Sequence, residues 1–155
     1  MIWQILYWLS RLLMGGMFLY AGYAKLAQPP FLFEMAVDSY QLLPAWGVLA
    51  VAHSLPWMEV ALGLVLLSGW KLFYFSSFAT LLIGFFLTLM AVSFARGVEA
   101  TCGCFGGGEP VSPWTLTRDS MMFLVALYLT VYAWKSRRAL SSAALPEAPP
   151  AGIAG

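Results

Sequence analysis

Charged residues are scarce in this chain: Asp, Glu, Lys and Arg make up 10% of its 155 residues, while 61% are hydrophobic. Soluble globular domains carry roughly a quarter charged residues, so this scarcity excludes an ordinary soluble domain. The formal net charge of +1 gives no electrostatic reason to expect a nucleic-acid partner. The composition instead favours a protein of the lipid bilayer.

Cysteine and histidine are scarce as well, since the chain has only Cys102, Cys104 and His53. A structural zinc site needs four ligands, most often cysteines and histidines, so no metal centre is expected within one chain. A second cysteine pair is also absent. A membrane enzyme that relays electrons from a periplasmic partner to a quinone through thiols alone usually needs two pairs. This absence argues against a quinone reductase of the vitamin K epoxide reductase type.

Long hydrophobic runs fill most of the sequence. Four segments approach or exceed the ~20 apolar residues that a helix needs to cross a bilayer. They cover about residues 2–23, 46–70, 72–95 and 114–134. Only helices and closed barrels satisfy their backbone hydrogen bonds in lipid, so these runs predict an all-α, integral membrane four-helix bundle over residues 1–138. The first run has no early positive charge and is interrupted by Arg11, so we expect a retained helix rather than a cleaved signal peptide.

Two connecting segments carry further signals. Prolines bound residues 29–44, whose apolar positions fit a short amphipathic helix in the interface at the first outward loop. Ser112 followed by Pro113 is typical of an N-cap with proline at the first helical position. Residues 139–155 are rich in Ala, Pro and Ser and predict a disordered cytoplasmic tail.

Basic residues are concentrated on one side of the predicted bundle. Lys135, Arg137 and Arg138 follow the fourth span, and Lys71 lies in the turn between the second and third. Cytoplasmic loops carry such an excess, so both termini and this turn are predicted to be cytoplasmic. The loop with the two cysteines then faces outward, on the side of the membrane where disulfides persist.

The cysteines suggest thiol chemistry. Cys102 and Cys104 are separated by one residue and followed by Phe105 and three glycines. A bridge between such close residues constrains the unfolded chain little, so a stabilising role is not favoured. Close spacing favours a strained, exchangeable disulfide, and the glycines give the turn its backbone freedom. Thiol–disulfide exchange is therefore our first hypothesis, and two thiols of little function are the alternative.

Two arginines flank the cysteine loop in sequence. Arg96 or Arg118 would stabilise a thiolate if it lies nearby, whereas the alternative is that both merely mark the membrane interface. Asp119 is adjacent to Arg118, and successive residues on a helix point about 100° apart. We therefore expect one of the two to face the cysteine loop and the other to face the bundle.

Ionisable residues inside the predicted spans are costly and usually have a partner or a function. Arg11 and Glu59 lie at matching depths in antiparallel neighbours, which predicts an Arg11–Glu59 ion pair. Such a pair either locks two helices together or forms a proton or quinone-headgroup site. His53 is expected near Arg118 and Asp119, either packed between helices or handling protons beside a proline kink.

Short motifs between about residues 10 and 120 carry a family resemblance. They are Arg11-Leu12-Leu13 with Phe18, Ala21-Gly22-x-x-Lys25-Leu26, Tyr40-x-Leu42-Leu43-Pro44, Leu55-Pro56-Trp57-x-Glu59 with Gly63, Arg96-Gly97, Cys102-Gly103-Cys104-Phe105-Gly106 and Arg118-Asp119. In their order and spacing the chain resembles the methylamine-utilisation protein MauE family, within the wider group of DoxX-like four-helix membrane proteins.

The resemblance implies a four-helix bundle of the inner membrane that supports disulfide formation or maturation of exported proteins with a periplasmic thioredoxin-like partner. In the namesake pathway the client is the disulfide-rich small subunit of methylamine dehydrogenase. The resemblance makes Cys102 and Cys104 the redox pair. It assigns the polar framework to Arg11, Glu59, Arg96, Arg118 and Asp119.

The favoured hypothesis is thus an inner-membrane thiol–disulfide redox protein, with a quinone as a candidate electron acceptor and no other cofactor expected. One alternative is a non-catalytic assembly factor, which predicts that changing both cysteines to serine leaves function intact. The other is a small solute or reductant transporter along Arg11, Glu59 and His53. It predicts that Glu59→Gln abolishes function and that the double cysteine change does not.

Overall fold

The computed structural model describes residues 1–98, 100–103 and 108–143. The helices of this part are α1 (Ile2–Leu26), α2 (Pro30–Asp38), α3 (Ala45–Ser68), α4 (Leu72–Ala95) and α5 (Pro113–Ala143). Two short antiparallel strands, β1 (Thr101–Cys102) and β2 (Glu109–Pro110), form a hairpin between α4 and α5. The all-α architecture with four long helices and a short helix in the first loop is confirmed, and the small hairpin is added to it.

Three helices in the described part, α1, α3 and α4, are long and apolar enough to cross a membrane. Their outer faces carry large exposed apolar side chains, such as Leu81 at 72% and Phe85 at 60% exposure. Apolar surface on this scale requires a nonpolar surrounding. The chain is a multi-pass membrane protein. Helix α5, which contains the fourth predicted span, is 31 residues long but less apolar, because charged residues lie near both of its ends.

Helices α1 and α3 approach each other closely through glycine. A Cβ atom added to Gly22 would lie 2.6 Å from Cγ2 of Val60, and one added to Gly63 would lie 2.8 Å from the carbonyl oxygen of Gly15. Small residues allow helices to pack this closely in lipid, where no hydrophobic force drives them together. These contacts fix the lengthwise offset of α1 against α3.

The alternating directions of the long helices give the bundle two ends. At one end, the ring of Tyr7 in α1 stacks on that of Tyr132 in α5, with centroids 4.8 Å apart. We call this the basic end, because the charged side chains that the structure describes here are Arg11, Lys71, Lys135, Arg137 and Arg138. The N-terminus, the turn between α3 and α4 and the end of α5 lie at this end. Helix α2 and the hairpin lie at the opposite, hairpin end.

Helix α5 continues five residues beyond the predicted boundary at residue 138 and ends at Ala143. The rest of the segment predicted to be a disordered tail, residues 144–155, lies outside the described residues.

Candidate functional site: a cysteine hairpin above a buried ion pair

The hairpin places Cys102 in a cluster of charged side chains. The Sγ atom of Cys102 lies 3.6 Å from Nη2 of Arg118 and 3.9 Å from Oδ2 of Asp119. Arg118 also donates from Nε to Oδ1 of Asp119 at 3.1 Å, and from Nη1 to Oε2 of Glu109 at 3.2 Å. Glu109 is the strand partner of Cys102. With only 2% of its surface exposed, Cys102 is enclosed by the groups that would control its ionisation.

Both Arg118 and Asp119 therefore contact the cysteine, and the expectation that only one of them faces the loop was wrong. The 100° rule describes where side chains leave the helix, whereas the long Arg118 side chain bends back to hydrogen-bond its neighbour Asp119. Arg96 is exposed at the end of α4 and makes no side-chain hydrogen bond or ion pair within the described part of the chain. Cys104 lies outside the described residues.

Helix α2 and the two residues that follow it support the hairpin from one side. The hydroxyl of Tyr40 donates to the carbonyl oxygen of Thr101 at 3.1 Å, and the backbone N–H of Thr101 donates to Oγ of Ser39 at 3.2 Å. The Phe33 ring packs so closely on Gly103 that an added Cβ would lie 3.0 Å from it. The interfacial helix predicted from the sequence thus holds the segment next to the cysteine.

The start of α5 supports the hairpin from the other side. The backbone N–H of Thr115 donates to Oγ of Ser112 at 3.3 Å, and that of Ser112 donates to Oγ1 of Thr115 at 2.8 Å. This reciprocal cap begins the helix at Pro113, which confirms the predicted start. Arg118 and Asp119 follow on the next turn, so the cap fixes where the two charges meet the cysteine.

A buried ion pair joins α1 to α3 below the hairpin. Nζ of Lys25 donates to both carboxylate oxygens of Glu59, each at 2.8 Å. The two side chains are 1% and 8% exposed. Lys25 was not predicted as a site residue, although it belongs to the motif Ala21-Gly22-x-x-Lys25-Leu26 that carries the family resemblance.

The predicted Arg11–Glu59 ion pair was wrong. Arg11 instead donates from Nε to the carbonyl oxygen of Leu66 at 2.8 Å and from Nη2 to that of Leu67. These carbonyls belong to the last turn of α3, where the helix supplies no backbone N–H groups to bond with them. In this offset of the two antiparallel helices, Arg11 lies level with the end of α3, and Glu59 lies level with Lys25.

His53 does not join Arg118 and Asp119, contrary to the prediction. Its side chain is 62% exposed on α3, with Nδ1 3.9 Å from Oε1 of Glu34. The same nitrogen lies 3.0 Å from the carbonyl oxygen of Leu49. Arg11, Glu59 and His53 therefore occupy three separate places, and the structure does not join them into one path.

A small cavity lies between the ion pair and the hairpin. Its volume is about 50 Å³, and its wall includes Lys25, Glu59, Asp119 and Gly103 among mainly apolar side chains. Asp119 thus borders both the cysteine and an internal space that it shares with the ion pair. Among the described residues, no three His, Cys, Asp or Glu side chains lie close enough to hold a metal ion.

Comparison with known proteins agrees with the architecture. A family model described as methylamine utilisation protein MauE matches residues 3–132. No curated protein and no solved structure matches the chain significantly. The matched range contains the four long helices up to Tyr132, the hairpin and the buried ion pair, which is most of the chain. The chain belongs to the MauE family of methylamine utilisation proteins.

Proposed function

We propose that this MauE-family protein is a thiol–disulfide redox protein that supports maturation of an exported protein in methylamine utilisation. The observation that carries the proposal is the position of Cys102 Sγ between the Arg118 guanidinium and the Asp119 carboxylate. A cysteine that serves only to fill the core has no need of two charged partners. Reactive cysteines, by contrast, lie next to cations that favour the thiolate.

The two charges act on different protonation states of Cys102. The Asp119 carboxylate accepts a hydrogen bond from the thiol and is placed to take its proton. The Arg118 cation then stabilises the thiolate that remains. Arg118 also binds Asp119 and Glu109, and these contacts hold its guanidinium beside the cysteine.

The proposed exchange transfers a disulfide between this chain and one partner protein. A thiolate of the Cys102/Cys104 pair attacks the disulfide of a periplasmic thioredoxin-like partner, and one partner sulfur leaves as a thiolate. The second cysteine attacks the mixed disulfide, which leaves the pair oxidised and the partner reduced. The partner disulfide is the oxidant in this scheme, and the reverse sequence transfers oxidation to the partner. Because Cys102 is buried, we assign the contact with the partner to Cys104 and the resolving step to Cys102.

Arg118→Gln tests whether the Arg118 cation favours the thiolate of Cys102. In a Cys104→Ser background Cys102 is the sole cysteine, and its rate of alkylation by N-ethylmaleimide is measured in detergent as a function of pH. Losing the nearby cation should move the profile to higher pH by about one unit. Arg96→Gln removes the same charge from the exposed end of α4 and should leave the profile in place. Equal profiles for Arg118→Gln and its parent would contradict the proposed role of the guanidinium.

A further inference from the structure

The basic end contains a second concave site, unrelated to the cysteine cluster. A groove of about 600 Å³ opens between the first turn of α4, the last turns of α5 and Tyr7 of α1. Its wall includes the cations Lys71 and Arg137 together with the polar side chains of Ser136 and Tyr132. We call it the basic groove.

No described carboxylate neutralises the basic groove. The five Asp and Glu side chains in the described ranges lie on α2, on the hairpin, at the start of α5 or in the ion pair with Lys25. They are Glu34, Asp38, Glu59, Glu109 and Asp119. Arg11, whose guanidinium lies against Gly69 on the groove wall, further offsets the negative carbonyl end of α3. The groove therefore presents a positive potential to whatever enters it.

The Arg137 guanidinium is held in place by the aromatic residues at the start of α4. Its guanidinium carbon lies 5.1 Å from the ring centre of Tyr74 and 5.7 Å from that of Phe73. Nη1 donates to the hydroxyl of Tyr74 at 3.0 Å. A guanidinium has five N–H donors in a fixed fork, which matches the oxygens of a phosphate. Stacking on two rings limits the rotamer entropy that such a contact costs.

The first turn of α4 adds a smaller positive potential to the same wall of the groove. This turn has no acidic residue and no side-chain cap, so its N–H groups present the positive end of the helix dipole. Lys71 precedes it directly, with Nζ over the Trp70 ring at 5.5 Å. Exposed aliphatic and aromatic side chains line the groove, including Leu140 at 74% and Tyr74 at 55% exposure.

We propose that the basic groove binds the phosphate of an anionic phospholipid. Cations between the ends of membrane helices recognise lipid headgroups of this charge. A free phosphate would satisfy the same cations, but the apolar rim favours a ligand with acyl chains. The headgroup lies against Lys71 and Arg137, and the chains follow the exposed faces of α4 and α5. This inference is independent of the proposed redox function.

Native mass spectrometry of the whole chain tests the inference. The protein is purified in mild detergent, supplied with equal amounts of phosphatidylglycerol and phosphatidylcholine, and the lipids retained per chain are counted. We expect one phosphatidylglycerol to be retained in preference to phosphatidylcholine. The double variant Lys71→Gln, Arg137→Gln should retain it about tenfold less.

Lys135→Gln with Arg138→Gln is the matched control, because it removes two positive charges from the same end of the bundle but outside the groove wall. It should retain phosphatidylglycerol as the parent does. If both double variants lose phosphatidylglycerol equally, the lipid is attracted by the positive surface in general and the proposed site is wrong. If millimolar inorganic phosphate displaces the lipid, the groove binds free phosphate and the proposed lipid ligand is wrong. If unfolding in lipid-free detergent shows that loss of Arg137 disrupts α5, the number of lipids retained is measured for Lys71→Gln alone. A loss of phosphatidylglycerol in that variant supports the site, and unchanged retention contradicts it.

Discussion

Replacing Cys102 by serine is expected to reduce disulfide formation in the exported client to below about 1% of the wild-type level, because exchange requires both thiols of the pair. The remaining Cys104 can still attack the partner, but the mixed disulfide is then not resolved. A covalent adduct with the thioredoxin-like partner should therefore accumulate. Non-reducing electrophoresis and mass spectrometry of the membrane fraction would detect the adduct, and the thiol count of the client would report its maturation.

The reciprocal variant, Cys104→Ser, separates the roles of the two cysteines. It should lower client maturation equally but accumulate little adduct, since the remaining Cys102 is 2% exposed. Thermal unfolding in detergent would establish that both variants keep the fold. Normal client maturation in the variant that lacks both cysteines would instead support a non-catalytic assembly factor.

Glu59→Ala and Lys25→Ala are each expected to destabilise the folded protein by about 3–5 kcal/mol. Each change leaves the other member of a buried pair charged and without its opposite charge, and the surrounding helices offer little water to compensate. The free energy of unfolding would be measured by denaturant titration in detergent micelles. The control is Glu34→Ala, which removes a carboxylate that is 27% exposed and should cost below about 1 kcal/mol.

The double variant Lys25→Met, Glu59→Leu distinguishes an unpaired charge from lost packing. Hydrophobic residues of similar volume often replace a buried ion pair at little cost, so most of the stability should return. A double variant that is no more stable than the single ones would show that the charges themselves hold α1 against α3. Single variants within about 1 kcal/mol of the parent would contradict the burial of the pair.

Much of the fold could be predicted because long apolar runs have few physical outcomes in lipid. The start of α5 was predictable for a local reason, since Ser112 and Pro113 supply an N-cap and a first helical residue. Both features depend on residues close together in sequence.

The charge partners of the buried residues could not be predicted in the same way. The sequence identifies Arg11 and Glu59 as charged residues that are costly to bury in a membrane span. Their bonding partners, however, depend on the lengthwise offset of α1 against α3. That offset depends on the close contacts of Gly22 and Gly63 with the facing helix. It places Lys25 next to Glu59, and it places Arg11 where its guanidinium donates to the carbonyl oxygens at the end of α3.

The surroundings of Cys102 depend on longer-range structure still. Strands of two residues give no periodic signal, so the pairing of Cys102 with Glu109 was not predictable. That hairpin is what brings the cysteine to Arg118 and Asp119.

The redox state of the two cysteines in living cells tests the central claim most directly. Intact cells would be treated with a membrane-impermeant maleimide, with and without dithiothreitol, in the parent strain and in strains that lack candidate thioredoxin-like partners. The redox proposal predicts labelling that appears on reduction and changes when the partner is lost. A pair that stays reduced whichever partner is deleted, or that reacts only from the cytoplasm, would contradict it.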